Sequence, residues 1–309
     1  MTAPTNTFLS SAAIGNREDL TDVIYRITPT VTPFINLAAK GKATTTLHEW
    51  QTQDLAAAAT NAQAEGDNIS AKSVTATVRL ANRLQISTKA VVVSNTQIAI
   101  NTAGRKDEMA YQMSLAGLEL RRDMEYACMQ NTTGASSPRK FKGVPTWIGD
   151  NGDFGASGSA GVYTSTDGTA VTDGTQAAFT EARLKNVLQL IFTAGGDPDT
   201  ILMPPKAKQT FSTFTGNATR MDKAEDKSLT AAVDVYIGDF GELKAVPQRF
   251  MRTREVFVLQ SDKWAVCYLR PIQLLDIAPT GDAMQKELVA EYTVEARAPK
   301  ANGAVYDIL

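Results

Sequence analysis

The sequence is poor in the side chains on which metal sites and many enzymes depend. It contains one histidine and two cysteines in 309 residues, and aromatic residues make up only 7% of the chain. So few histidines and cysteines exclude most metal sites, disulfide frameworks and histidine-dependent mechanisms. We therefore expect no catalytic residue, no metal site and no cofactor.

The few residues of this kind have simple structural interpretations. His48 lies in a strand-like segment, and its neighbour Glu49 points to the opposite face, so a base at this position lacks an orienting carboxylate. We interpret His48 as a surface or interface residue. Cys128 falls in a helical stretch and Cys267 in an apolar strand pattern, which indicates two buried thiols in a reducing compartment.

Long apolar runs and an excess of one charge are also missing. No stretch approaches the roughly 18 apolar residues of a membrane-spanning helix, and residues 1–16 lack the basic start of a signal peptide. The 31 Lys and Arg nearly cancel the 33 Asp and Glu, which leaves a net charge of -2. A protein that wraps DNA needs a large basic excess to neutralise phosphates. We expect a soluble protein, made in the cytosol, that makes no contact with a membrane.

The first part of the chain has little core of its own. In residues 1–42, Pro29 and Pro33 bar a long helix, so we interpret this segment as an arm that lies on another surface. Residues 43–52 and 73–94 read as two strands, and the polar segment between them carries a turn signal at Gly66. The simplest interpretation of residues 43–93 is one long hairpin with a polar tip.

A two-stranded ribbon is marginally stable in water, and its open edges invite pairing with another chain. The nearby sequence offers no obvious surface for this hairpin, whereas a neighbouring subunit would supply one. We therefore predict a projecting hairpin that contacts a second subunit. The candidate interface residues are Trp50, Leu55, Ile69 and Lys72.

Residues 105–130 give the strongest helix signal in the chain. Apolar residues recur there at three- and four-residue steps on one face, which indicates packing and not ligand binding. The members of this face are Met109, Met113, Ala116, Leu120, Met124 and Ala127.

The remainder indicates an α+β protein without repeats or a clean domain break. Residues 149–178 are rich in Gly, Ser, Thr and Asp, and they form either an exposed loop or a set of short hairpins. Helices are predicted to begin after Thr180 and Pro204. Strands are predicted at residues 200–203, 233–239, 243–246, 256–259, 264–269 and 286–298.

A search for motifs of catalysis and nucleic-acid binding returns little. Phosphate-binding loops, dinucleotide fingerprints and nucleophile elbows are absent, and no pair of carboxylates stands out, although a carboxylate-dependent hydrolase stays open. Basic clusters occur at Arg121–Arg122, 139–142 and 249–254. Aromatic residues within the last two would suit a single-stranded nucleic acid, but solvated faces or ion pairs between subunits are the favoured interpretation.

The order of these elements resembles the major capsid proteins of tailed bacteriophages, which share the Hong Kong 97-type fold. An arm, a long two-stranded loop and a long amphipathic helix precede an α/β region and a strand-rich end. Several short segments are similar to the sequences of one phage capsid family. They are NREDLTDVI at 16–24, TVTPF at 30–34, FKGV at 141–144, LMPP at 202–205, LRP at 269–271, EYTVEA at 291–296 and ANGA at 301–304.

The resemblance implies a Hong Kong 97-type capsid fold with named parts. The parts are an N-terminal arm (1–42), an E-loop hairpin (43–93), a spine helix with the first part of the P-domain (94–148), a Gly/Ser/Thr-rich loop with the A-domain (149–268), and a C-terminal return to the P-domain (269–309).

The function implied is self-assembly, as hexamers and pentamers, into the icosahedral shell around a double-stranded DNA genome. The implied partners are further copies of the chain, portal and scaffolding proteins, decoration proteins, and packaged DNA contacted without sequence specificity. The implied location is the virion head, after synthesis in the bacterial cytoplasm. Alternatives are an encapsulin-type compartment, a tail or decoration protein, and the hydrolase named above. Some members of the fold cross-link Lys to Asn, and no motif here carries that chemistry over.

Overall fold

The structure is a computed structural model that describes residues 28–66, 74–100, 107–214 and 235–309. Its helices are α1 Pro33–Leu37, α2 Asn95–Ala99, α3 Glu108–Gln130, α4 Val144–Trp147, α5 Glu181–Thr193 and α6 Pro205–Phe211. Its strands are β1 Ala39–Lys42, β2 Leu47–Thr52, β3 Val78–Arg83, β4 Gln85–Ser94, β5 Ala135–Ser136, β6 Arg139–Lys140, β7 Gly152–Asp153, β8 Thr200–Met203, β9 Val235–Gly238, β10 Gly241–Pro247, β11 Glu255–Leu259, β12 Trp264–Ile277, β13 Ala283–Ala296 and β14 Gly303–Tyr306. Short 3₁₀ turns lie at Ser261–Lys263 and Pro299–Ala301.

Two larger sheets organise the fold. The four-stranded sheet has the order β1-β12-β13-β4, and the six-stranded sheet has the order β7-β14-β11-β8-β10-β9. In the first, β12 and β13 run antiparallel from the pair Trp264↔Ala296 to the pair Ile277↔Gln285. The register shifts around Pro271, because proline has no N–H to donate to the ladder. The mixture of helices and strands confirms the predicted α+β class.

Helix α3 confirms the predicted long helix. It begins at Glu108, three residues after the predicted start, because Asp107 is extended and its Oδ1 accepts a hydrogen bond from the N–H of Ala110 at 3.1 Å. Five of the six predicted apolar residues are buried and Met113 is half-buried. The helix packs on β4 and β13, so its apolar stripe faces the four-stranded sheet.

The core beneath α3 is rich in aromatic rings. Phe34 meets Trp264 edge-on with ring centroids 5.7 Å apart, and Phe141 meets Tyr292 at 5.3 Å. Such edge contacts add to the burial of large rings. Since Phe34 belongs to α1, the described end of the predicted arm lies in the chain's own core.

A second core lies between α5, α6 and the six-stranded sheet. Its central strand β8 is buried along its whole length, as the sequence predicted. Helix α5 contributes the apolar residues Leu184, Val187, Leu188 and Ile191. The strand β14 completes this sheet from the far end of the chain by pairing with β11 and β7.

The second predicted strand of the hairpin divides into two. Residues of β3 pair with β2, whereas β4 leaves the hairpin and pairs with β13. The break falls at Leu84, which is fully buried in a small cluster with Ala265 and Cys267. The burial of Leu84 turns the chain from one sheet to the other.

Residues 149–178 are neither a fully solvated loop nor a run of regular hairpins. Single antiparallel bridges join Ser159 to Thr172 and Val162 to Thr169, and Ala177 bridges to Ile308. Buried residues such as Val171 hold this segment on the rest of the chain. None of the helices in the described segments combines the length and the apolar character needed to span a membrane.

The packing of α3 makes a direct prediction about stability. Leu120 is fully buried, whereas Leu118 on the same helix is 37% exposed. Leu120→Asp places an unpaired carboxylate in the core and should lower the free energy of unfolding by about 3 kcal/mol or more. Leu118→Asp should change it by no more than about 0.5 kcal/mol. Solubility and thermal unfolding of the unassembled subunits measure the difference, and equal stabilities of the two variants would contradict the packing.

Candidate assembly interface

The hairpin is a short paired ribbon with a long loop. Strands β2 and β3 pair from Leu47↔Arg83 to Thr52↔Val78. Beyond them, the described residues 53–66 and 74–77 form no strand. Leu55 is 97% exposed and Val74 is 94% exposed. The loop therefore presents apolar side chains that the described part of the chain does not cover.

The four predicted interface residues fall in different places. Leu55 lies on the exposed loop, while Trp50 lies at the base of the hairpin and is half-buried. Ile69 and Lys72 lie outside the described residues. The assignment of all four to an interface stays a prediction.

The base of the hairpin is fixed to the chain's own core. Trp50 donates its indole N–H to the carbonyl of Ala296 at 3.0 Å, and its ring lies 5.2 Å from that of Trp147. Asn82 is fully buried, and its amide donates to the carbonyls of Lys142 and Val294 and accepts from the N–H of Lys142. The surface that covers the base of the hairpin thus comes from residues far away in the sequence. The inference that a neighbouring subunit must supply this surface is therefore wrong for the base.

His48 has the carboxylate partner that the sequence did not reveal. Its Nε2 lies 3.1 Å from Oε2 of Glu295, and Sγ of Cys267 lies 3.0 Å from the same oxygen. The hydrogen bond with His48 is the largest influence that lowers the pKa of Glu295, to about 2. Burial, together with the hydrogen bond to Glu295, raises the pKa of Cys267 to about 12. Glu295 lies 247 residues after His48, so local spacing could not place them together.

Several side chains of the basic clusters at 139–142 and 249–254 are paired inside the chain, which corrects their interpretation as solvated faces or intersubunit pairs. Arg139 pairs with Glu291 at 2.7 Å, and Arg254 pairs with Asp307. The Lys142 ammonium is buried, donates to the carbonyls of Tyr163 and Ser165, and lies 4.3 Å from the centre of the Trp147 ring. Burial lowers the pKa of Lys142 to about 8. The charges of these side chains are therefore not available to bind nucleic acid. Arg121 and Arg249 are exposed, as the interpretation as solvated faces predicted.

Arg252 belongs to a denser ionic group. It pairs with Asp173 and, at 2.7 Å, with Glu255. Glu255 is fully buried, and one of its oxygens has no hydrogen-bond partner. Burial outweighs the attraction of Arg252 and raises the pKa of Glu255 to about 7.

A second exposed apolar region lies at the far end of the four-stranded sheet. A groove of about 610 Å³ there is lined by residues that include Ile98, Met109, Met113, Leu274 and Met284. Ile98, Leu274 and Met284 are among the exposed large apolar residues of the chain. Contiguous exposed apolar surface of this kind is typical of an interaction site.

Comparison with known proteins places this fold among phage capsids. Residues 3–309 match the family model described as SU10 major capsid protein. The major capsid protein of Escherichia phage Phieco32 is 25% identical over 340 residues, which cover 97% of this chain and 96% of that protein.

Solved structures show the same fold at low identity. The capsid of Cyanophage A-1(L) matches with a TM-score of 0.68 at 14% identity, covering 97% of this chain and 98% of that one. The capsid of a native GTA particle matches with a TM-score of 0.66 at 9% identity, with the same coverage. A chain of Gordonia phage Cozz matches with a TM-score of 0.61 at 12% identity over 99% of this chain and 98% of that one.

The raised pKa of Glu255 predicts a specific pH dependence. The carboxyl of Glu255 loses its proton near pH 4.5 in the unfolded chain and near pH 7 in the folded chain. The bound proton therefore stabilises the folded state at low pH, and this stabilisation is lost as the pH rises from 4.5 to 7. Between pH 4.5 and pH 8, the free energy of unfolding of the wild-type subunit should therefore fall by on the order of 3 kcal/mol more than that of Glu255→Gln. Thermal unfolding of both proteins across this range measures it, and parallel curves would contradict the assignment.

Proposed function

Because the chain belongs to the SU10 major capsid protein family and is a major capsid protein of a tailed bacteriophage, we propose that it assembles as hexamers and pentamers into the icosahedral shell that encloses the phage's double-stranded DNA. The observation that carries this proposal is the family match from residue 3 to residue 309. Closed shells are built from repeated copies of one chain through many contacts that sum to a stable whole.

The exposed surfaces support self-association. The loop with Leu55 and the groove beside Met284 both leave apolar area in water, and burying such area against a neighbour is favourable at about 25 cal/mol per Å². The proposed occupant of both surfaces is a second copy of this chain. We propose that Leu55, Ile69 and Lys72 lie at the loop contact. Trp50 packs on its own chain at the base of the hairpin, and we propose that its partly exposed side chain borders that contact.

The segment boundaries predicted from the sequence stay our proposal for the arm and the spine. We propose that the E-loop hairpin itself ends with β3, because β4 leaves it to pair with β13. The boundary at residue 268 falls within β12. We therefore propose that the four-stranded sheet is the centre of the P-domain and that the six-stranded sheet is the centre of the A-domain.

Further partners follow from the same role. Portal and scaffolding proteins would set where and how the shell closes, and decoration proteins would bind its outer surface. Packaged DNA would be contacted without sequence preference. The contact would also be weak, because the net charge of -2 offers no strong attraction for phosphates. The chain resides in the virion capsid, and we propose that it is made in the bacterial cytoplasm.

The family match favours a phage shell over an encapsulin-type compartment. It also favours a structural role over the hydrolase alternative, because the family is one of capsid proteins. The carboxylates that stand out in the structure, Glu255 and Glu295, are each paired with basic or polar groups of the chain itself.

The exposed loop provides the test of assembly. Deletion of residues 53–70 should leave the subunit folded, because the described part of that segment is almost entirely exposed, and should abolish closed shells. Leu55→Asp should act in the same direction, whereas Leu55→Met, which keeps an apolar side chain, should assemble as the wild type does. Negative-stain electron microscopy and sedimentation measure the shells, and circular dichroism controls for folding. Normal particles from both the deletion and Leu55→Asp would overturn the role of the loop.

A further inference from the structure

We propose that His48, Cys267 and Glu295 form a zinc-binding site that ties the base of the hairpin to the long antiparallel sheet. The three residues come from β2, β12 and β13. The inference is independent of the proposed assembly, because it concerns a contact within one subunit.

The geometry brings three donor atoms of suitable kinds together. Oε2 of Glu295 lies 3.1 Å from Nε2 of His48 and 3.0 Å from Sγ of Cys267, and all three atoms lie within 4.8 Å of one another. Zinc bonds of about 2.0–2.3 Å in a tetrahedron put donor atoms about 3.3–3.7 Å apart. The two distances from Glu295 are already close to this spacing, and Nε2 and Sγ lie within 4.8 Å of each other, so rotations of the side chains would place the three atoms around one ion.

The backbone fixes the two ligands of the sheet on one face. Ala265 pairs with Glu295 and Cys267 pairs with Thr293, so Cys267 and Glu295 are diagonal neighbours across the β12–β13 ladder. Gly41 of β1 closes the other side of Cys267, because a Cβ at that position would lie only 2.3 Å from Sγ. Glycine is thus required for β1 to lie this close to the thiol.

The chemistry of the donor set selects zinc among common divalent ions. A thiolate and an imidazole suit zinc, whereas magnesium and calcium prefer oxygen ligands. A thiolate and a carboxylate together balance the two charges of the ion. Three protein ligands leave a fourth tetrahedral position for a water molecule.

Proton balance is simple at this site. Cys267 releases its thiol proton to solvent when its sulfur binds the ion. Nε2 of neutral His48 faces the Glu295 carboxylate and therefore carries the ring proton, so this proton moves through solvent to Nδ1 when Nε2 binds. One proton is therefore released for each zinc ion bound. Arg297 donates to Oε1 of Glu295 at 3.1 Å, which leaves Oε2 directed at the other two ligands, as orienting groups around metal sites do.

The burial of the site suits a structural ion. Cys267 is fully buried, and the side chains of His48 and Glu295 are 17% and 14% exposed. Apart from the one water molecule that would complete the tetrahedron, bulk water is largely excluded from the three ligands, so the bonds would be retained once formed. The ion would restrain the hairpin base beside Trp50 and leave the exposed loop free to reach a neighbour.

The second cysteine supplies a matched control. Cys128 is also a free and buried thiol, and among the described residues the only group of His, Cys and carboxylate donors close enough to share an ion is the proposed one. Cys128→Ser should therefore keep the site, whereas Cys267→Ser should remove it.

The test uses Zn²⁺ and Co²⁺ with the full-length subunit. After incubation with Zn²⁺ and dialysis, elemental analysis should find about one zinc per chain in the wild type and in Cys128→Ser, as one three-ligand site predicts. Titration with Co²⁺ should give a thiolate-to-cobalt absorption band in both proteins. His48→Gln and Cys267→Ser should each bind at least about tenfold more weakly, and Cys267→Ser should lose the band.

Three results would overturn the proposal. They are a wild type that binds neither ion, equal zinc content in the wild type and Cys267→Ser, and a cobalt band that survives in Cys267→Ser. The trio would then be a hydrogen-bonded cluster alone. Circular dichroism controls for folding, and if Cys267→Ser is unfolded, the cobalt band of the wild type and its weakening in His48→Gln decide the question.

Discussion

The buried carboxylate of Glu125 joins three parts of the chain that are distant in sequence. Its two oxygens accept hydrogen bonds from the backbone N–H groups of Phe34, at 2.7 Å, and Ile35, at 2.9 Å, and Oε1 also accepts from the side-chain amide of Gln248. A buried carboxylate is costly unless such donors surround it. Burial outweighs them in raising the pKa of Glu125. This one side chain on α3 thus positions the end of the arm and the segment that follows β10.

The rest of the architecture is arranged around that junction. Helix α3 lies on the four-stranded sheet, and the base of the hairpin is held against the same core by Trp50 and Asn82. What remains uncovered is the loop that carries Leu55 and the apolar groove beside Met284. A capsid subunit needs both a rigid core and exposed surfaces of this kind, because these surfaces become buried when the subunit binds its neighbours in the shell.

Local sequence patterns predicted the elements whose signals lie within a few residues. The apolar steps from Met109 to Ala127 predicted α3, and the strand pattern around His48 predicted the hairpin. The order of these elements, together with several short sequence segments that resemble those of phage capsid proteins, was enough to indicate the fold family. These features depend on periodicity and chain order, both of which a single sequence displays.

Contacts between distant residues could not be predicted in this way. The turn at Leu84, the pairing of β4 with β13, and the meeting of His48 with Glu295 depend on side chains far apart in the sequence. Arg139 and Arg254 of the basic clusters were misinterpreted for the same reason, because the carboxylates that neutralise them lie 152 and 53 residues away. For the candidate site, the sequence indicated an exposed loop but not the contacts of Trp50 and Asn82 that hold the base of the hairpin on the core.

A cryo-electron microscopy reconstruction of particles assembled from the wild-type chain tests the central claim most directly. The account predicts closed shells in which the loop that contains Leu55 lies against an adjacent subunit and the exposed side chain of Leu55 becomes buried there. Shells in which this loop projects into solvent without touching a neighbour would contradict it. So would a chain that forms no shells even when its scaffolding protein is supplied.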